Sequence, residues 1–234
     1  MHHNLPNRRN PGTTSIYFIV PFFDSVLPPR YLGAMPGTDD TTGLILVGGK
    51  SSRMGRDKAM LPLSGKLLID KVLDTMRTCL RRVILVGDHP ERFDGYGLEI
   101  YPDIFPGSSL GGLYTGLYRA ETKYIFATAC DLPFASPSIL RLVLSLGEGS
   151  DAVVPLSGDK PEPLFALYHK NCLEPMKRLL VSRNYRIHDF YPQVRTRYVT
   201  PEELASAGES GEAFLNVNTI EEYEAILGRK NHGR

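Results

Sequence analysis

The chain has 234 residues, 42% of them hydrophobic and 23% charged, an ordinary globular composition that excludes wholesale disorder. Lys and Arg number 27 against 26 Asp and Glu, so the net charge is +1 and no global basic surface offers itself to nucleic acid. No stretch approaches the ~18 apolar residues of a membrane span; the three cysteines, Cys79, Cys130 and Cys172, form no CxxC pair, which argues against structural zinc and a disulfide framework and fits a reducing, cytoplasmic setting.

Residues 1–40 carry Pro6, Pro11, Pro21, Pro28, Pro29 and Pro36, a density that no long helix or central strand survives. The apolar run Ile16–Phe23 makes a poor signal-peptide core, because Pro21 interrupts it, Asp24 follows it and no small-x-small cleavage site is present. This segment reads as a disordered extension, and Met35 is a candidate for the true start. From Gly43 the pattern changes. Gly43–Val47 is a short apolar run, read as a buried strand. Leu68, Val72, Leu73, Met76 and Leu80 then fall on one face of a helix expected over 67–80. Strands are expected at 83–86, 98–101 and 124–130, with a helix at 110–120 between the last two. A helix at 137–146 follows, then strands at 151–155 and 163–169, a helix at 172–181, a strand at 194–199 and a helix at 219–228. Strands alternating with helices predict one α/β domain over 43–230, a Rossmann-like, mostly parallel sheet with helices on both faces.

The segment Gly48-Gly49-Lys50-Ser51-Ser52-Arg53-Met54-Gly55-Arg56-Asp57-Lys58 follows the first strand directly. Its glycines permit close backbone approach to a ligand, and successive amides in such a turn form an anion nest. Lys50, Arg53, Arg56 and Lys58 against Asp57 place a local +3 on a chain whose total is +1. That concentration suits a polyanion such as a triphosphate, at the sheet edge where open α/β proteins bind ligands. It is not a P-loop, since Leu44 stands where the first glycine would be, and GxGxxG does not occur. Asp131, in Cys130-Asp131-Leu132-Pro133, ends an apolar strand and can hold Mg²⁺, which takes few protein ligands; a helix cap or turn is the plainer alternative. Asp103 precedes Gly107-Ser108-Ser109-Leu110-Gly111-Gly112, a run able to turn the chain tightly against a nucleoside whose donors Asp103 would accept.

Together these elements resemble the molybdenum cofactor guanylyltransferases, the MobA family of nucleotidyltransferases, over about 43–228. The resemblance is strongest in Leu46-Val47-Gly48-Gly49 with Arg53-Met54-Gly55-Arg56-Asp57-Lys58. Leu110-Gly111-Gly112-Leu113, Cys130-Asp131-Leu132-Pro133-Phe134 and Asn216-Val217-Asn218 narrow it to the cofactor branch. It implies a nucleotidyltransferase domain that moves GMP from GTP to molybdopterin or Mo-molybdopterin and releases pyrophosphate, with Mg²⁺ as cofactor and molybdoenzyme chaperones as further partners. It also implies roles. Leu46, Val47, Gly48 and Gly49 would lie against GTP, Lys58 and Arg53 would stabilise its phosphates, Asp103 would meet the guanosine part, and Asp131 would ligate Mg²⁺ and GTP. Asn218, and after it Asn216, are candidates to complete the metal shell or meet the pterin substrate, and Glu162, Arg183 and Arg186 are candidates to face that substrate; a helix cap, an exposed turn and a solvated basic surface are the respective alternatives. The family often has Asn at the end of the second strand, where this chain has Val86-Gly87-Asp88, so backbone groups or Asp88 would substitute. His89, His169 and His188 show no HExxH spacing, and the serines no GxSxG elbow. Two other readings compete: a sister enzyme using another NTP or acceptor, by cytidylyl transfer or on a sugar phosphate, and a non-catalytic nucleotide-binding protein.

Overall fold

The computed structural model describes residues 38–47, 58–87, 90–208, 213–217 and 222–223, with backbone alone at Lys58 and Pro90. Met35, residues 48–57, Asp88 and Asn218 lie outside the described residues, and the helix expected at 219–228 is described only at 222–223, both helical.

The expected elements recur in order, with ends displaced by one or two residues. Strand β1 (Thr41–Leu46) leads past a 3-10 turn (Lys58–Met60) and a small hairpin, β2 (Pro62–Leu63) and β3 (Lys66–Leu67), into α1 (Leu68–Cys79). Then come β4 (Arg82–Val86), β5 (Glu99–Tyr101), α2 (Ser109–Arg119), β6 (Tyr124–Ala129) and α3 (Pro137–Ser145). The chain continues through β7 (Ala152–Ser157), β8 (Lys160–Pro161), β9 (Phe165–His169), α4 (Leu173–Val181), β10 (Thr196–Val199) and α5 (Pro201–Ser206). The main sheet runs in the order β10-β7-β9-β6-β1-β4-β5, with β8 paired to β7. Strands β1, β4, β5 and β6 are parallel neighbours, as are β7 and β10, while β9 is antiparallel to both β6 and β7. The reversal of β9 has a simple cause. Seven residues, 158–164, connect it to β7, and a parallel return needs a crossover of a dozen or more.

Alternation along the strands divides the interior. Ile45, Val83, Leu85, Phe126, Phe165 and Val153 face one side with α1 and α3. Leu44, Leu46, Ile84, Ile125, Ala127 and Tyr168 face the other with α2 and α4. The α1 stripe is the one the spacing predicts: Leu68, Ile69, Val72, Leu73, Met76 and Cys79 are buried. A third, small cluster of Leu61, Leu63, Leu68 and Val217, with Phe134 and Tyr223 against it, fastens the C-terminal segment to the β2–β3 hairpin. No helix among the described residues is long and apolar enough to cross a membrane.

At the amino end of the sheet Asp151, buried ahead of β7, joins three strands. Its carboxylate accepts from Arg195 Nε and Nη2 at 3.0 Å each, from the Arg195 backbone N–H at 3.0 Å, and from Asn171 Nδ2 at 2.8 Å. The Arg195 guanidinium holds the Asp151 carboxyl well below the usual carboxylate range, against the opposing effect of burial. A lowered pKa means stability that is present above the unfolded value near 4 and lost as pH falls through the folded one. Asp151→Asn is therefore expected to lower the melting temperature by about 3–12 °C at pH 7, the scale of one charged hydrogen bond in a protein this size. It should also flatten the acid limb of the stability curve from about pH 4 downward. Thermal melts of the two proteins between pH 7 and pH 2 check this; parallel curves would remove the ionic contribution assigned to Asp151.

Candidate functional site

Strand β1 is where the strand order reverses. The chain passes from β1 through α1 to β4 on one side, and returns through α2 to β6 on the other. In open α/β sheets the crevice outside the carboxyl ends at such a point takes the ligand. Here the strand ends are tied into one edge by backbone bonds: Val47 N–H donates to Val86 O at 2.9 Å, Cys130 N–H to Leu46 O at 3.3 Å, and Gly87 N–H to Tyr101 O at 3.1 Å. The glycine-rich segment leaves the sheet after Val47 and rejoins the described chain at Lys58, and both Val47 and Ala59 belong to the core beside α1. Leu46 and Val47 are themselves buried, their side chains turned into opposite cores.

Asp131 follows β6 at the same edge and is half-buried. Its backbone carbonyl accepts from Val217 N–H at 3.0 Å. That bond, with Val217 fully buried in the third cluster, carries Asn216 to the end of β6, although 85 positions separate the two in sequence. Asn216 is exposed beside the buried valine. Glu162 comes to the same place from β8. Its N–H donates to Pro155 O at 2.9 Å and its carbonyl accepts from Phe165 N–H at 3.2 Å, which fixes the turn. Burial pushes the Glu162 carboxyl up, the charge of Asp131 pushes it further, and Lys160 opposes both. Two carboxylates within electrostatic reach of each other are hard oxygen donors suited to Mg²⁺, which binds through one or two such groups and completes its shell with water and phosphate oxygens. Among the described residues no group of three or more His, Cys, Asp or Glu could hold a metal unaided, so phosphate oxygens would be part of such a shell.

Asp103 lies past the end of β5, half-buried. Its Oδ1 accepts from the Phe105 N–H and from the Thr115 hydroxyl, both at 2.9 Å. The loop carrying it rests on the first turn of α2, which begins at the Ser108 cap (Gly111 N–H to Ser108 Oγ, 3.1 Å). Glycine is required there: a Cβ on Gly111 would meet the Phe105 carbonyl oxygen at 1.9 Å. A Cβ on Gly112 would lie 3.0 Å from Leu46 Cδ2 and 3.8 Å from Asp103 Oδ2. The expected residues Leu46, Asp103 and the Gly111-Gly112 pair therefore converge on one spot.

Strand β9 ends at the amino edge, and α4 follows it and leads into Arg183 and Arg186, both exposed. Arg183 adopts a left-handed φ of 58°, and Asn184 accepts from the Arg186 N–H at 3.1 Å, shaping the turn. His169 stands at the amino edge, where its Nδ1 accepts from Asn171 N–H. Arg53, Gly48, Gly49 and Asn218 lie outside the described residues, as does the Lys58 side chain. The reading from residues did not single out Thr115 or Val217. A threonine within the buried stretch Leu110–Leu117 was the available signal for the first, since a buried hydroxyl needs partners; a backbone N–H leaves none.

Comparison with known proteins shows the family and the fold. A family model described as a MobA-like NTP transferase domain matches residues 43–195. The chain is similar to a protein of Pelotomaculum thermopropionicum named "Probable molybdenum cofactor guanylyltransferase", 36% identical over 179 residues, 76% of this chain and 87% of that one. It is also similar to the molybdenum cofactor guanylyltransferase of Desulfosudis oleivorans, 33% identical over 199 residues, 84% and 98% of the two chains. Among solved structures, molybdopterin-guanine dinucleotide biosynthesis protein A from Archaeoglobus fulgidus superposes with a TM-score of 0.71 at 24% identity, over 82% of this chain and 99% of that one, and so shares the fold.

Proposed function

Because the chain belongs to the MobA-like NTP transferase family, we propose that it is a cytoplasmic enzyme that transfers GMP from GTP to the terminal phosphate of molybdopterin. The observation that carries this reading is the Val217-to-Asp131 bond. It joins the Cys130-Asp131-Leu132-Pro133 and Asn216-Val217 motifs at the end of β6, next to β1, where the strand order reverses and from which the sequence runs into the glycine-rich basic segment.

A phosphate oxygen of molybdopterin forms a bond to the α-phosphorus of GTP. The bond from that phosphorus to the bridging oxygen of the β-phosphate breaks, and pyrophosphate leaves with the electron pair. The nucleophile is already an anion near neutral pH, so no base has to remove a proton. The obstacle is charge: each pair of like unit charges at contact costs about 1 kcal/mol in water and about 4 kcal/mol at a protein's effective dielectric. The chain's task is neutralisation and alignment. Lys58 and Arg53 offset charge on the leaving pyrophosphate, with Gly48 and Gly49 giving backbone amides to the phosphates. Leu46 and Asp103 flank the nucleoside, and Asn216, Asn218, Arg183 and Arg186 face the pterin. Asp131, with Glu162 beside it, would hold Mg²⁺, which supplies Lewis acidity and a template for the phosphates.

Pyrophosphate release measured with molybdopterin and each NTP tests the reading. GTP is expected to support turnover at least tenfold faster than CTP, ATP or UTP at equal concentration. Preference for CTP would assign the chain to cytidylyl transfer instead, and GTP binding without release would make it a non-catalytic nucleotide binder.

A further inference from the structure

Thr115 has no part in the scheme above, yet it is fully buried and its hydroxyl is completely used. A threonine inside a helix can return its hydroxyl to a carbonyl one turn back. This one reaches out of α2 to the neighbouring loop: Oγ1 donates to Asp103 Oδ1 at 2.9 Å and accepts from Ile104 N–H at 2.9 Å. A hydroxyl has a single hydrogen. Because the Ile104 N–H can only donate, that hydrogen is committed to Asp103. With the Phe105 N–H also on Oδ1, the carboxylate is gripped through one oxygen by two donors. Its other oxygen is thereby set over the side-chain-free turn of α2, 3.1 Å from where a Gly111 Cβ would stand and 3.8 Å from a Gly112 Cβ. Leu46 Cδ2 approaches the same Gly112 position to 3.0 Å. The Phe105 carbonyl and the Leu46 side chain fill the space over these two buried glycines, so the loop carrying Asp103 is packed tightly on the first turn of α2, at the edge where the strand order reverses. A carboxylate held this firmly beside that edge suits the N–H or O–H donors of a nucleoside.

We propose that Thr115 is a positioning residue for the nucleoside: it holds the Asp103 carboxylate in the orientation in which it accepts from donors on the base or ribose. The inference rests on the reading that Asp103 faces the nucleoside of GTP. Orienting the carboxylate before binding spares the ordering cost that a free side chain would incur on complex formation. A valine of similar shape would leave the Ile104 N–H without its partner and Asp103 Oδ1 with one donor in place of two.

Binding calorimetry on the full chain tests this with two probes, GTP and inorganic tripolyphosphate, each with Mg²⁺. Tripolyphosphate engages the phosphate site and has no nucleoside. Thr115→Val is expected to weaken GTP about tenfold, the scale of one hydrogen bond to a charged group, and to leave tripolyphosphate unchanged. Thr115→Ser, which keeps the hydroxyl, stays within about threefold of the parent for both. In an Asp103→Asn background, Thr115→Val adds no further loss, because its effect runs through the carboxylate. Equal weakening of both probes, or an undiminished loss in the Asp103→Asn background, overturns the inference by marking a general packing defect. Weak GTP binding by Asp103→Asn with normal binding by Thr115→Val overturns it while the nucleoside role of Asp103 stands. Parent-like GTP binding by Asp103→Asn removes that role itself. Should Thr115→Val fail to fold, Thr115→Ala, which removes the hydroxyl without adding bulk, carries the same comparison.

Discussion

Asp131→Ala is expected to lower kcat/KM for pyrophosphate release from GTP by about 10²-fold or more, the scale of losing one electrostatic stabiliser in a water-poor site, while the protein stays folded. The folding half follows from which atom does the structural work. The C-terminal segment is fastened to Asp131 through the backbone carbonyl, 3.0 Å from Val217 N, and alanine keeps that carbonyl. The catalytic half follows from the side chain, which stands at the end of β6 within electrostatic reach of Glu162. Removing it leaves one carboxylate where two would meet a divalent ion. Asp131→Asn, which keeps the shape and loses the charge, should raise the Mg²⁺ concentration needed for half-maximal rate. Steady-state rates across an Mg²⁺ titration, with melting curves beside them, make the check. Near-normal turnover in the folded alanine variant would strike Asp131 from the reaction.

The second large effect is at Lys58, which opens the 3-10 turn Lys58–Met60 at the exit of the glycine-rich segment. The next residue, Ala59, is fully buried, so the backbone that presents Lys58 is anchored in the core. In the proposed reaction negative charge grows on the bridging oxygen as pyrophosphate departs. A cation placed there is worth more in the transition state than in the ground state, so its loss falls on kcat and not on KM alone. Lys58→Ala is expected to reduce kcat about 10²-fold at saturating GTP. A variant with kcat intact and only KM raised would confine Lys58 to uniform phosphate binding.

Much of the fold was legible because the strands and helices that build it are strongly patterned. Leu44–Val47, Val83–Val86 and Ile125–Ala127 are continuous apolar runs, as strands buried on both faces must be, and α1 and α3 carry clear apolar stripes. What escaped was short or dependent on pairing. The β2–β3 hairpin and β8 are two residues per strand, too brief for any period to show. The α5 helix had a local signature, since Thr200 caps it and Glu203 closes the box (Glu203 N–H to Thr200 Oγ1, 3.4 Å; Thr200 N–H to Glu203 Oε2, 3.1 Å). At six residues it was too short for an apolar stripe to draw the eye.

The same division runs through the site. Sequence by itself determined the glycine-rich basic segment, the carboxylate that ends β6, and the family they belong to. These are local features: a turn needs glycine, a polyanion needs concentrated charge, and both are readable from neighbouring residues. Only the tertiary structure decided which distant pieces meet. It reversed β9 because seven residues cannot cross over to a parallel neighbour. It set Val217 on the carbonyl of Asp131, brought Glu162 within reach of the same charge, and locked Asp103 to Thr115 across a turn that glycine alone allows. Such contacts join backbone groups and single polar atoms across the sheet edge. Their geometry is set by strand order and helix docking, which leave no periodic trace in the chain.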